Sequence, residues 1–461
     1  MRFPPFLKKT QTLDLEEEMN RKLGVWMLTA LVVGNMIGSG VFLLPASLAS
    51  LGTITIFSWC ATAVGAMLLA LVFAKLSTLF PKTGGPYLYC KESYGNFIGF
   101  QVAYNYWVYM WVGNAAIAVA FTGYLSIFFE ALRESSLLSF LTSVGVIWLF
   151  TLVNLIGVHL AGRFQLVLTI LKFVPLVLIS SIGVFFVKWE NLAHLNVSSG
   201  STFSAFSSGA MLTLWAFLGM ESASIPADEV KEPEKTIPRA TIMGTAITAL
   251  LYILSTLSIM GVIPMAELKQ STAPFADLAA RLFGHSGLVI MGAAAVISCA
   301  GALNGWILLQ GQIPMAAARD GLFPKRFEKV SKKGRSPYFG IVLSSTLITL
   351  MLILNYHKSL VDQFTFIISL ATLAAIIAYL YTSVAEFVVY MKYPDKLKKK
   401  KIVRSLTISA LAFAYTFWAT ISAGQEIVFY GVLLMFTSIP IYGWMEWQKT
   451  CKQLRVFNGN R

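Results

Sequence analysis

The chain has 461 residues, of which 56% are hydrophobic and only 13% charged. A soluble protein carries about 25% charged residues, so several water-facing domains are excluded and much of this surface must face lipid. The formal charge of +14, from 36 Lys+Arg against 22 Asp+Glu, raises the question of nucleic acid, which the placement of the charges answers below.

Taken in chain order, the first 23 residues are polar and charged, so no cleavable leader is expected ahead of the first apolar run. Twelve mostly apolar segments follow, each of a length that can cross a hydrocarbon core of about 30 Å: 24–50, 54–78, 97–128, 137–160, 163–187, 204–226, 238–263, 287–318, 338–355, 363–391, 405–422 and 426–446. The chain thus divides into an N-terminal cytoplasmic segment (1–23), a first set of five helices (24–187), a second set (204–391), two further helices (405–446) and a cytoplasmic tail (447–461). With the N-terminus inside, 30 of the 36 basic residues fall on inner segments and five (Arg133, Lys188, Lys269, Arg281, Lys358) on outer ones. Cytoplasmic loops are enriched in Lys and Arg, so both termini are expected inside and the basic charge marks sidedness, not a nucleic-acid groove. The runs KLKKKK at 396–401 and KRFEKVSKKGR at 325–335 also suit contact with anionic lipid. Four cysteines and four histidines show no metal spacing, and no nucleophile and base pair emerges, so neither a cofactor, a metal nor an enzyme is expected.

Two spans are interrupted. The first contains Gly34-Asn35-Met36-Ile37-Gly38-Ser39-Gly40, then Pro45, and the sixth contains Leu218-Gly219 just before Glu221. Glycine and proline weaken a helix by about 1 and 3 kcal/mol relative to alanine. Such backbone at membrane depth is tolerated where it is buried in protein or lines a cavity. A small-residue packing face would use the same glycines. The functional alternative is an unwound stretch whose free N–H groups hold a carboxylate. Breaks in the first and sixth helices are the pattern of a five-plus-five inverted repeat with its site at mid-membrane, giving an all-α integral membrane protein.

The segments GNMIGSGVFLLPASLAS (34–50), YWVYMWVGN (106–114), LWAFLGMESAS (214–224), EVKEPEKTIPRA (229–240) and GWILLQGQ (305–312) resemble the amino acid–polyamine–organocation superfamily. Within it, they are most similar to the bacterial basic amino acid/polyamine antiporters of the arginine–agmatine exchanger type, over about residues 24–445. The resemblance implies the leucine-transporter-like fold of about twelve helices, a bacterial inner-membrane location and commonly a homodimer. It implies that a substrate carboxylate meets Gly38, Ser39 and Gly40, with Asn35 and Met36 beside them, and that the α-amino group meets carbonyls near Trp215, Leu218 and Gly219. Trp306 would pack over the aliphatic part of the substrate, Trp215 would stack on its cation, and Asn114 would hydrogen-bond its distal end. Tyr106, Glu221 and Tyr379 match an outer gate. A carboxyl at the centre of a span is a functional candidate, and a hydrogen bond that stabilises the broken helix is the structural alternative.

Three positions depart from the exchanger. Tyr109 and Met110 replace small residues, and Ala371 replaces a serine, with Thr372 next to it. Lys172 lies nine residues past Arg163, about 13.5 Å along a helix. It resembles a fifth-helix lysine of proton-coupled permeases and is expected either to brace helices or to carry a proton. The expected function is therefore exchange of an amino acid, a basic one such as arginine first, for a related amine by alternating access. Proton-coupled symport of neutral or aromatic amino acids is the alternative. A sensor would need an appended signalling domain, and with tails of about 15–23 residues none is expected.

Overall fold

A computed structural model of the chain describes residues 23–82, 84–156, 173–225, 227, 230–331, 336–392 and 399–459. Apolar composition becomes helix because backbone groups in lipid must be satisfied within their own segment. Ten helices among the described residues are long and apolar enough to cross a membrane, or eleven with the bent first pair counted as one span. The helices are α1 (Val25–Met36), α2 (Ser39–Ala49), α3 (Ile54–Leu79), α4 (Pro86–Tyr94), α5 (Asn96–Leu125), α6 (Ser136–Ile156), α7 (Thr202–Phe217), α8 (Pro233–Val262), α9 (Pro274–Arg319), α10 (Tyr338–Asn355), α11 (Leu360–Lys392), α12 (Lys399–Ser422), α13 (Gln425–Phe436) and α14 (Ser438–Gly459). No strand occurs among the described residues; one isolated bridge pairs Leu23 with Val230.

Each of the twelve expected spans has a helical counterpart. The fifth is represented by the apolar helix Phe173–Phe186, while Lys172 and Arg163 lie outside the described residues. Some boundaries differ from expectation, the helices of the seventh and eleventh spans starting at Pro233 and Lys399. A separate helix from Pro274 meets the eighth span at a kink at Gly284 (φ 67°, ψ −156°), a left-handed position that glycine tolerates, so the span itself starts close to the expected 287. The twelfth is divided at Thr437 into α13 and α14. Residues 447–459 are helical and continue α14, helped by a Lys449–Glu446 pair one turn apart at 2.6 Å.

The core is built on α5, which runs through the middle of the bundle and packs against α9 and α11. That position explains its composition: Gln101, Asn105 and Asn114 are all buried in protein, out of contact with lipid. Helix α8 packs on α3 and α1, and α7 on α3. Helices α12 to α14 sit at the periphery, where Phe413, Phe417, Phe429, Phe436 and Trp447 are exposed as lipid-facing side chains would be.

The short helix α4, with Pro86 at its first turn, docks on α11. Ser93 Oγ donates to the Ala385 carbonyl at 3.3 Å and Tyr94 Oη to the Tyr381 carbonyl at 3.1 Å. Lys91 Nζ reaches Asp320 at 3.7 Å. Burial pushes the Cys90 thiol up to about 12, so it stays protonated and unreactive.

Candidate functional site

The first span stops being helical at Ile37 and Gly38 and resumes at Ser39, with a bend of 40° between its halves. Gly38 has φ −117° and ψ −146°, and a Cβ placed on it would meet only Ala302 Cβ, at 3.9 Å. The space beside this turn is open. The first N–H groups of α2 have no acceptor within their own helix and face the break with the positive end of the helix dipole.

The sixth span breaks in a different way. Helix α7 ends at Phe217, Gly219 is left-handed (φ 103°), and a 3-10 turn follows over Met220–Ser224. A Cβ at Gly219 would lie 3.4 Å from the backbone and Cβ of Asn35, so the two breaks lie side by side. The last carbonyls of α7 face this point with the negative end of its dipole.

Glu221 sits just past the break and is fully buried. Tyr106 Oη donates to its Oε1 at 2.5 Å, Tyr379 Oη to its Oε2 at 2.6 Å, and the Gly219 N–H to Oε2 at 3.2 Å. Ser224 Oγ donates to its carbonyl at 2.6 Å. One carboxyl therefore ties α5, α11 and the sixth-span break together, which is how a buried polar group is made tolerable.

Next to this node lies a box of aromatic rings. Tyr109 meets Tyr106, Trp306 and Trp215 edge to face at centroid distances of 5.3, 5.2 and 6.2 Å. Trp215 and Trp306 are 5.8 Å apart. The box closes on the first break: a Cβ at Gly40 would lie 2.8 Å from the Trp215 ring, and one at Gly113 2.7 Å from Trp306 and 2.8 Å from Trp215. Tyr109 Oη is buried without a hydrogen-bond partner among the described residues. Such a box offers π faces to a cation, with a carboxyl within the same cluster.

Of the remaining expected residues, Met36, Met110, Asn114, Leu218, Gly219 and Ala371 are buried, and they differ in what they offer. Met36 lends its carbonyl to Tyr252, and Asn35 is half-buried at the contact with Gly219. Leu218 N–H donates to the Trp215 carbonyl at 3.2 Å. Asn114 Nδ2 donates to Gln310 Oε1 at 2.7 Å, so this asparagine has the polar company expected of it. Met110 and Ala371 are buried on α5 and α11 and bring no polar group, and Thr372 Oγ1 donates back to the Ile368 carbonyl at 2.6 Å. Lys172 lies outside the described residues.

Two residues escaped the sequence reading. Tyr252 on α8, fully buried, places its hydroxyl 2.7 Å from the Met36 carbonyl and 3.1 Å from the Ala216 carbonyl, so one phenol serves both breaks. Gln310, inside the GWILLQGQ segment, is the partner of Asn114. The available signal was a tyrosine or glutamine within an apolar span, which must find a partner somewhere. No group of three or more His, Cys, Asp or Glu side chains suited to a metal ion occurs among the described residues.

A bundle of membrane-spanning helices with two broken helices meeting around a buried carboxyl and an aromatic box defines a multi-pass secondary transporter, a class in which solutes bind at interrupted helices. The chain belongs to the amino acid permease family, whose profile matches residues 23–445. It is 35% identical over 439 residues to the putrescine transporter PotE of Haemophilus influenzae, covering 94% of this chain and 99% of that one. It is 35% identical over 431 residues to PotE of Escherichia coli, covering 93% and 97%. To the cadaverine/lysine antiporter of Escherichia coli it is 34% identical over 370 residues, covering 79% and 83%. The protein is thus a membrane transporter of the bacterial inner-membrane type, not an enzyme.

Proposed function

We propose that the protein exchanges a basic amino acid for a decarboxylated amine across the inner membrane by alternating access. The observation that carries this reading is the pairing of two chemically opposite ends within one buried cluster. Free N–H groups at Ser39 and Gly40 suit a carboxylate, and the carbonyls ending α7 suit an α-ammonium. The rings of Tyr109, Trp215 and Trp306, with Glu221 behind Tyr106 and Tyr379, suit a second cation. The names of the relatives, putrescine transporter and cadaverine/lysine antiporter, support exchange and favour it over proton-coupled uptake of neutral amino acids. They also shift the choice of substrate from arginine toward shorter chains. Tyr109 and Met110 favour the same shift, because they fill volume that the exchanger resemblance gives to a guanidinium.

In this reading Asn35, Met36, Gly38, Ser39, Gly40, Leu218 and Gly219 form the zwitterion end, and Met110, Asn114 and Ala371 line the far end. Tyr106, Glu221 and Tyr379 form the outer gate, and Lys172, on the fifth span, either braces neighbouring helices or carries a proton. The five-plus-five repeat (24–187 and 204–391), both termini in the cytoplasm and a homodimer belong to the same proposal. The excess of Lys and Arg on one side supports the orientation.

The test is uptake of labelled lysine, ornithine or arginine into proteoliposomes with and without internal putrescine or cadaverine. Exchange requires uptake that depends on the internal amine. Uptake of neutral amino acids into empty vesicles, driven by an imposed pH gradient and indifferent to internal amines, would overturn the proposal.

A further inference from the structure

Asn114 and Gln310 meet between α5 and α9, both fully buried. The contact is the first link of a chain. Asn114 Nδ2 donates to Gln310 Oε1 at 2.7 Å. Gln310 Nε2 donates to Ser345 Oγ at 3.2 Å and to the Ile341 carbonyl at 3.4 Å. Ser345 Oγ and Thr151 Oγ1 are 2.6 Å apart. At the other end, Asn114 Oδ1 is buried and has no hydrogen-bond partner among the described residues.

The polarity of this chain follows from its anchor. A carboxamide turned by half a revolution exchanges O for NH2 with almost no change of shape, so its neighbours decide its direction. The hydroxyls of Ser345 and Thr151 accept either arrangement. The Ile341 carbonyl accepts only. It therefore holds the Gln310 NH2 toward α10, which turns Oε1 toward α5. That oxygen in turn requires the Asn114 NH2, which leaves Oδ1 as the free end. The unfilled position is an acceptor, and a buried acceptor without a donor is unfavourable enough to call for one. Its place fits a ligand. Asn114 follows Gly113, where a Cβ would lie 2.7 Å from Trp306 and 2.8 Å from Trp215, and Gln310 lies one helical turn beyond Trp306 on α9.

We propose that Gln310 is a specificity-determining positioning residue. Held by Ile341 and Ser345, it fixes the Asn114 amide with Oδ1 toward the substrate, so that this subsite takes a protonated amine and rejects an apolar end of the same length. The inference rests on the reading of this cluster as the amine-binding site of a transporter. Asn114 supplies the contact, and Gln310 acts through it.

The experiment uses the full chain in proteoliposomes loaded with putrescine. Exchange of labelled putrescine is inhibited by unlabelled putrescine or by pentylamine, in which one ammonium is replaced by methyl. The ratio of the two inhibition constants does not depend on how much protein is active. Gln310→Met keeps the length of the side chain and removes its hydrogen bonds. It is expected to lower the preference for putrescine about tenfold or more, the scale of one hydrogen bond to a charged group, with the loss falling on KM more than on kcat. Gln310→Glu, whose carboxyl oxygen still accepts from Asn114, is expected to retain most of the preference. Asn114→Leu is expected to lower the ratio as far as Gln310→Met does, and the double variant no further, because both act through one atom. An unaltered ratio in Gln310→Met, or losses that add in the double variant, overturns the assignment. Should Gln310→Met fail to fold, Ser345→Ala takes its place: a smaller fall in the ratio supports the assignment and an unchanged one overturns it. A wild-type protein that exchanges neither putrescine nor lysine overturns the functional reading itself, and this assignment with it.

Discussion

The two helix breaks differ in how they are made and in what they present. The first is made of backbone alone: Gly38 turns the chain between α1 and α2 with no ionisable side chain nearby in sequence. The second is a left-handed glycine followed by a 3-10 turn whose second residue is Glu221. Helix polarity gives them opposite characters, since α2 begins at its break and presents N–H groups while α7 ends at its break and presents carbonyls. A zwitterion needs both signs, and the two breaks lie in contact at Asn35 and Gly219. The carboxyl belongs to the carbonyl side, so cation recognition is concentrated there and anion recognition is left to the backbone.

Variants at the two breaks put this contrast to the test. The largest effect is expected from Gly40→Val, because a Cβ there would lie 2.8 Å from the Trp215 ring and a branched side chain leaves that ring no place to stand. Amine exchange by the reconstituted protein is expected to fall below detection while the detergent-purified protein remains folded by circular dichroism. Glu221→Gln comes next. It keeps the shape but turns one acceptor into a donor facing a tyrosine hydroxyl, and a loss of about ten- to a hundredfold in kcat/KM for diamines is expected, the scale of a hydrogen bond to a charged group. If the division of labour holds, competition by an amino acid whose only cation is its α-ammonium changes less than competition by a diamine. Equal losses for both would show that the carboxyl serves the whole site.

Tyr252→Phe is expected to act on both breaks at once. It leaves the Met36 and Ala216 carbonyls without their shared donor, so a destabilisation of about 1–3 kcal/mol is expected in thermal unfolding, with a smaller effect on KM than that of Glu221→Gln. The smallest effect is expected from Lys235→Ala. Its partner Glu232 is on the surface, 2.7 Å away, where an ion pair contributes little, and no measurable change in exchange or in Tm should follow.

The span count and the two weak points were legible because they are local. Apolar length predicts a crossing helix, and Gly38-Ser39-Gly40 and Leu218-Gly219 are deficits of helix propensity visible in a few residues. The polar company of Asn114 was also predictable in kind, because an amide inside a bundle must be paired. Its partner was not, since nothing local in 114 points to 310. Tyr252 was illegible for the same reason: it sits in an apolar stretch, and its partners lie 216 and 36 residues away. The helix that precedes Gly284 fell outside the expected spans because Asp277 and Arg281 interrupt its apolar character.

The Tyr252 hydroxyl carries a single hydrogen, yet two carbonyls compete for it at 2.7 and 3.1 Å. As long as the half-helices stay together, the phenol needs only to rotate its O–H to trade one acceptor for the other. If they part, the phenol can follow only one of the two carbonyls, and the Ala216 carbonyl has more to lose because the Met36 carbonyl also accepts from the Gly38 N–H at 2.9 Å. The cost of separating the two halves is thereby written into one proton, and a water or an ammonium entering between them is the kind of visitor that relieves it.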